Sequence, residues 1–153
     1  LSEAHKSAIL SLGPFLAASK YTKHKDTNVR GLVACCLADI LRVYAPECPV
    51  STAELQSIFH LFFDCLKRMQ NINADKGNKS DIWGARLLED LALVKAPLIL
   101  IYTDGCQSLV EEMFDVVFQS VHTTDSSKIH AAFVELLHSV LLELVNLDQD
   151  GAG

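Results

Sequence analysis

The chain has 153 residues, half of them hydrophobic, and a formal net charge of −6 at pH 7. This length fits one domain with its own core, and the apolar content excludes general disorder. The acidic balance argues against sequence-specific or broad nucleic-acid binding, which needs a basic surface, so we expect protein partners. With no uninterrupted apolar run of about 18 residues and no cleavable leader, we expect no membrane partner.

Apolar residues recur with the helical period of 3.6 through most of the chain, and no segment alternates with the period of two that a strand needs. The sequence therefore predicts an all-α fold with six helical segments. These are residues 1 to 20 with a bend at Gly13-Pro14, a second helix after Asp26 or Thr27 ending at Tyr44, a third after Ser51, a fourth from Ser80 or Asp81, a fifth after Gly105 and a sixth opened by "TTDSS" at 123 to 127.

Three connections between these helices have their own signals. Ser51 and Glu54 stand in the positions of a capping box at the start of the third helix. The polar segment "NINADKGNKSD", residues 71–81, is the only predicted long loop. Pro97 makes the segment "KAPLILIY" either a kinked continuation of the fourth helix or a separate short turn.

The helices can be grouped into antiparallel pairs, approximately residues 1–45, 51–102 and 105–147. The period of about 45 residues favours three stacked hairpins, a right-handed α-solenoid of HEAT-like repeats, over a compact bundle. The chain is then a single domain or a fragment of a longer one.

The segment "DTNVRGLVACCLADIL", residues 26–41, resembles the second helix of a HEAT repeat. In such a helix, the small side chains of Ala34, Cys35 and Ala38 would let the neighbouring repeat approach closely. We expect Arg30 to hydrogen-bond carbonyl groups of an adjoining turn rather than a ligand.

Catalytic and metal-binding signals are missing from the sequence. It has no nucleophile elbow, zinc-protease motif, phosphate-binding loop or calcium loop, and its seven glycines are scattered. The five cysteines include no CxxC pair, so reduced structural thiols are expected. We therefore predict no enzyme, no cofactor and no metal site.

One basic segment could hold an anion. Lys20, Lys23 and Lys25 lie close together in the sequence, and a phosphate or similar group could bind among them. The alternative is a solvated turn whose positive charges interact favourably with the helix dipole at the carboxyl end of the first helix.

The connector "VYAPECPVS", residues 43–51, is the most distinctive segment. Ala45 and Cys48 each precede a proline, which biases them to extended conformations. A preordered segment loses little entropy when it engages a peptide. The alternative is that the prolines only stop one helix and set the angle of the next.

The segment from Lys23 to Pro49, "KHKDTNVRGLVACCLADILRVYAPECP", closely resembles the N-terminal HEAT region of the cohesin-associated sister-chromatid cohesion regulators, the family named for precocious dissociation of sisters. The likeness covers about residues 20 to 121. It continues, in the same order, through "LQSIFHLFFDCLKRM", "LLEDLALVKAPLIL" and "LVEEMFDVVFQSV".

The resemblance implies a non-enzymatic, nuclear and chromatin-associated regulator of cohesin. Such proteins bind cohesin through its kleisin subunit, and they also recruit the wings-apart-like release factor. In some lineages, sororin-type protectors or haspin kinase compete with the release factor. A general HEAT adaptor or transport scaffold, binding through its inner helical faces, is the alternative. A third hypothesis is a phosphate- or small-molecule-binding helical protein that uses the three lysines.

The family's Ala-Pro-Asp-Ala-Pro motif is implicated in receiving short Tyr/Phe-Ser-Arg peptides, and it falls on Ala45, Pro46, Glu47, Cys48 and Pro49. Two positions depart from the motif. Glu47 keeps the negative charge but moves the carboxylate by one methylene, and Cys48 replaces an alanine with another small side chain. The resemblance therefore implies a peptide site here, with altered partner choice and affinity.

Overall fold

The computed structural model describes residues 2–45, 47–69, 81–94, 97–123 and 126–151, and within these ranges there are eight helices and no strand. The all-α prediction is confirmed. The predicted loop from residue 71 lies outside the described residues, apart from Asp81, which begins a helix. The helices are α1 (Glu3–Ala17), α2 (Ser19–Thr22), α3 (Thr27–Tyr44), α4 (Thr52–Met69), α5 (Asp81–Val94), α6 (Leu98–Tyr102), α7 (Gln107–Thr123) and α8 (Ser127–Gly151).

The long helices form three pairs that stack in a row. The stack has two layers, with α1, α4 and α7 in one and α3, α5 and α8 in the other. Within pairs, α1 packs on α3, α4 on α5 and α7 on α8. Between pairs, α4 contacts both α1 and α7, while α5 contacts both α3 and α8. In the part of the chain that the structure describes, no helix of the first pair approaches a helix of the third. This linear arrangement is that of stacked repeats and not of a bundle around one axis.

Helix α4 lies at the centre and is apolar on more than one side. Phe59 and Phe62 are fully buried, with their ring centroids 5.2 Å apart in an edge-on arrangement. Leu61, Phe63 and Cys65, on another side of the helix, are also buried. An all-round apolar helix must have neighbours on each side, and α4 contacts α1, α2, α3, α5 and α7.

Helices α3 and α5 approach each other closely at a seam of small residues. A Cβ atom on Gly31 would lie 2.6 Å from the Cβ of Trp83, which leaves no room for a side chain. One turn along, the Cys35 thiol lies 3.6 Å from the Trp83 carbonyl oxygen. Ala34 and Ala38 are buried beside them. The predicted close approach at small residues is thus observed, and Gly31 is the member that the sequence did not single out.

The first predicted helix is divided at Ala18, and the bend at Gly13-Pro14 stays a prediction. Helix α1 continues through Pro14 to Ala17, and the chain leaves the helix at Ala18, whose φ of −58° and ψ of 142° are extended. Gly13 has another reason for its missing side chain, since an added Cβ would come within 3.3 Å of Val50. The glycine therefore lets the connector before α4 lie close against α1.

Local capping signals were read correctly from the sequence. The Asp26 side chain accepts a hydrogen bond of 2.8 Å from the Asn28 amide, so α3 begins at Thr27. Helix α6 is a separate five-residue helix after Pro97. The segment is therefore a separate short element and not a kinked continuation of the preceding helix.

Helix α8 is long and apolar enough to cross a membrane, by length and composition alone. The criterion is met within Ser127–Gln149, 23 residues long, where a stretch of 18 residues has a mean hydropathy of 1.4. Polar residues interrupt the apolar runs of this segment, so it contains no uninterrupted apolar run of about 18 residues. Phe133, Leu136 and Val140 form its buried face, whereas Leu141 and Leu142 are about half exposed.

Candidate peptide-binding site

The connector between α3 and α4 starts in an extended conformation. Ala45 has a φ of −53° and a ψ of 138°, and its amide donates to the Leu41 carbonyl at 2.9 Å. The Glu47 amide donates to the Tyr44 carbonyl, also at 2.9 Å. Pro46 lies outside the described residues. The end of α3 thus holds Glu47 directly beside it, with the glutamate side chain exposed.

The connector is also held at its other end. Ser51 and Glu54 form the predicted capping box, in which the Ser51 amide donates to the Glu54 carboxylate at 2.9 Å and the Glu54 amide donates to the Ser51 hydroxyl at 3.3 Å. The Cys48 thiol donates to the Val50 carbonyl at 3.1 Å. These bonds hold the described residues from Cys48 to Glu54 in place without a partner, which lowers the entropy that binding would cost.

A first pocket, of about 470 Å³, lies between α1 and the end of α3. The Tyr44 hydroxyl, which donates to the Lys6 carbonyl oxygen, ties the two helices together there. The pocket has an apolar part from Leu10 and an acidic part from Glu3 and Glu47, with Lys6 as the basic residue of its lining.

A second pocket, of about 370 Å³, lies on the α6 side of the same glutamate. It is lined by Glu47, Leu98, Tyr102 and Glu143. The Tyr102 hydroxyl donates to the Glu143 carboxylate, and half of the tyrosine surface is exposed. Two carboxylates, an aromatic ring and an aliphatic side chain therefore meet in one depression.

This second pocket suits a cationic side chain with an apolar stem. A guanidinium group can pair with a carboxylate through two parallel hydrogen bonds and can also lie over an aromatic ring. The described lining contains no basic residue that would already neutralise Glu47 and Glu143. The pocket can bind a cation. An arginine would contact all of the lining groups, namely the two carboxylates, the aromatic ring and the aliphatic side chain.

The structure brings only part of the predicted motif into these pockets. Ala45 and Glu47 line them, whereas Cys48 packs against the core and Pro49 is half-buried. Leu98, Tyr102 and Glu143 were missed because they are distant in the sequence. In the sequence, the signal for this pocket was the aromatic residue Tyr102 at the end of the segment "KAPLILIY".

The predicted anion site is spread over the turn between α1 and α3. The Lys20 ammonium lies 4.9 Å from the Phe15 ring centroid and 4.6 Å from that of Tyr21. Lys23 and Lys25 are exposed. The site at these three lysines stays a prediction.

Arg30, in contrast, has the structural role expected of it. Its guanidinium donates to the His24 carbonyl at 2.8 Å, so it braces the turn that precedes α3.

All five cysteines are free thiols. Burial raises the pKa of Cys35 to about 12, and burial also raises the pKa values of Cys65 and Cys106. These three thiols remain protonated and weakly nucleophilic near neutral pH. Among the residues with a described position, no three His, Cys, Asp or Glu side chains come together as a metal ion would require.

Comparison with known proteins places this geometry in context. A family model described as "Sister chromatid cohesion protein PDS5 protein" matches residues 2–151. Over 150 residues, the chain is 33% identical to sister chromatid cohesion protein PDS5 homolog B-B of Xenopus laevis, covering 97% of this chain and 10% of the relative. Over 142 residues, it is 32% identical to PDS5 homolog B of Homo sapiens, covering 92% of this chain and 10% of that protein.

A solved structure is similar as well. A chain in a structure of the Pds5–Scc1 complex matches with a TM-score of 0.75 and 26% identity, covering 89% of this chain and 19% of that chain. The present chain spans about a tenth of the length of the curated relatives that it matches.

Proposed function

We propose that this chain, which belongs to the PDS5 family of sister chromatid cohesion proteins, is a non-enzymatic helical scaffold that regulates cohesin by binding short peptide motifs. The observation that carries the proposal is the position of Glu47. It is an exposed carboxylate on a preordered connector, and it lines a pocket on each side. Such a site suits an extended peptide that carries an aromatic residue and an arginine.

The charge and shape of the two pockets support this ligand. The pocket towards α1 offers Leu10 beside Tyr44 for an apolar or aromatic side chain. The pocket towards α6 offers Glu47 and Glu143 for a cation. A Tyr-Ser-Arg peptide has both groups two residues apart, so one side chain can enter each pocket while the backbone crosses the connector.

The partners follow from the family. The named complex of a relative with Scc1 supports binding to the cohesin kleisin. We propose the wings-apart-like release factor, a sororin-type protector or haspin kinase as sources of the short peptide, in the nucleus and on chromatin. The chain would act as one helical-repeat unit, with pairs at about residues 1–45, 51–102 and 105–147, within a scaffold of the relatives' length.

The test is a titration of a fluorescein-labelled Tyr-Ser-Arg peptide, followed by fluorescence polarisation at several salt concentrations. We expect Glu47→Lys to weaken binding by about tenfold, since charge reversal turns attraction of the arginine into repulsion. The loss should shrink as salt rises, because the carboxylate is exposed and screened. The matched control is Glu135→Lys, the same charge change at an exposed position of α8.

Two outcomes would contradict the proposal. One is an absence of peptide binding by the unmodified chain at every salt concentration. The other is equal affinity of the unmodified chain and Glu47→Lys, which would favour a general HEAT adaptor that binds through its inner helical faces.

A further inference from the structure

A third pocket, of about 440 Å³, lies where α6, α7 and α8 meet. Its apolar part is formed by Ile101, Val110, Leu144 and Leu147. Its polar part includes the exposed carboxylates of Asp104 and Glu111. An apolar floor with acidic groups at the rim is the same chemistry as in the pocket beside Glu47.

This third pocket is adjacent to the second one. Tyr102 and Glu143 line the second pocket, and their sequence neighbours Ile101 and Leu144 line the third. Neighbouring residues of the same two helices, α6 and α8, therefore line both pockets.

The acidic groups of the third pocket are not neutralised by the protein. Neither Asp104 nor Glu111 forms an ion pair within the described ranges, and no lysine, arginine or histidine lines the pocket. The neighbouring Glu112 shows the opposite arrangement, since its carboxylate pairs with Lys67 at 3.0 Å and with His60 at 3.3 Å. On α7, the Glu112 carboxylate is therefore compensated, whereas that of Glu111 is available to a ligand.

The turn before α7 keeps the rim of the pocket open. Gly105 has a φ of 80°, and nothing lies within 4 Å of the position that its Cβ would occupy. Cys106 follows it and is fully buried. The chain is thus anchored directly after the turn, which fixes Asp104 at the mouth of the pocket.

We propose that the third pocket is a second cation-binding subsite for the same extended peptide, and this inference rests on the proposed function. It takes a lysine or arginine whose aliphatic stem lies on the apolar floor and whose charge meets Asp104 and Glu111. The ligand is therefore a basic extended peptide with two cationic residues, one for each pocket.

The experiment compares the short peptide Tyr-Ser-Arg with two series of longer peptides on the 153-residue chain. In each series, zero to eight alternating Gly and Ser residues link Tyr-Ser-Arg to a Leu-Arg pair, placed on the carboxyl side in one series and on the amino side in the other. We expect one series to bind more tightly than the short peptide. The gain should be about fivefold to tenfold at the best spacer length and should fall for longer spacers.

The decisive measurement is the ratio of the Kd of the short peptide to that of the best extended peptide. We expect Glu111→Lys to reduce this ratio to about one and Glu111→Gln to reduce it partly, whereas Glu135→Lys should leave it unchanged. Circular dichroism confirms that each variant is folded, and the neutral Glu111→Gln variant provides the test if the lysine variant is not.

The inference is overturned if no spacer length improves binding, or if Glu111→Lys weakens the short and extended peptides by the same factor. In both cases, the short peptide still binds and still responds to Glu47→Lys. If the short peptide does not bind at all, or binds the unmodified chain and Glu47→Lys with equal affinity, the proposed function itself fails, and the second subsite fails with it.

Discussion

The seam between α3 and α5 and the edge around Glu47 differ in how closely the chain is packed. At the seam, Gly31 lies against Trp83 without room for a methyl group. At the edge, Glu47 and Glu143 border open pockets. The difference teaches that the interactions that hold the repeats together and the surface available to a partner lie on different residues. Substitutions should therefore affect either stability or binding, but not both.

The largest expected effect on stability is that of Gly31→Ala. The new methyl group would lie 2.6 Å from the Trp83 Cβ, an atom fixed to the backbone, so α5 would have to move. Overpacking of this kind costs about 1–3 kcal/mol, offset by roughly 0.5–1 kcal/mol from the better helix propensity of alanine. We expect a net loss of about 1–2 kcal/mol in urea unfolding.

Gly84→Ala is the matched control for the seam. Its methyl group would lie 2.6 Å from Cγ and 2.8 Å from Sδ of Met69, atoms of a flexible side chain that can turn aside. We expect a change below about 0.5 kcal/mol. Equal losses for the two variants, or weakened peptide binding by folded Gly31→Ala, would contradict the separation.

Ser51→Ala tests whether the connector also contributes to stability. It removes the hydroxyl that accepts from the Glu54 amide, and loss of an N-cap costs about 1 kcal/mol. Ser57→Ala, at an exposed site in the same helix whose hydroxyl only donates to the Ala53 carbonyl, should change stability by less than about 0.5 kcal/mol. Thermal unfolding measures both variants. Identical melting curves for the two would show that the capping box does not stabilise α4.

The smallest effect is chemical and concerns two adjacent cysteines. Cys36 is exposed, whereas burial of Cys35 at the seam raises its pKa to about 12 and keeps it as the unreactive thiol. At about pH 8.5, near the ordinary thiol pKa, iodoacetamide should modify Cys36 well before Cys35. Mass spectrometry of the digested protein measures the order. In urea the two rates should converge, and equal rates in the folded protein would mean that the seam opens readily.

Sequence reasoning recovered the features that local chemistry decides. The caps at Asp26 and Ser51 depend on residues within one turn, and the apolar period of α4 depends on residues of the same helix. The extended Ala45 follows from the proline after it. These signals, with the family resemblance, were enough for the all-α class and the stacking of helix pairs.

The features that the sequence did not predict depend on tertiary contacts. Gly13 was interpreted through its neighbour Pro14, whereas the contact that its missing side chain permits is with Val50, 37 positions away in the sequence. The second pocket joins Glu47 to Glu143, and no spacing rule relates positions so far apart. The resemblance supplied Glu47, and only the structure supplied its neighbours.

The ordered connector has a consequence for binding kinetics. The amides of Ala45, Glu47 and Ser51 and the Cys48 thiol are already hydrogen-bonded, so a peptide would meet a surface whose described residues are held in place before it binds. Association at the proposed site should then be a single bimolecular step, with an observed rate that rises linearly with peptide concentration. Differences in affinity between related peptides should appear mainly as differences in residence time.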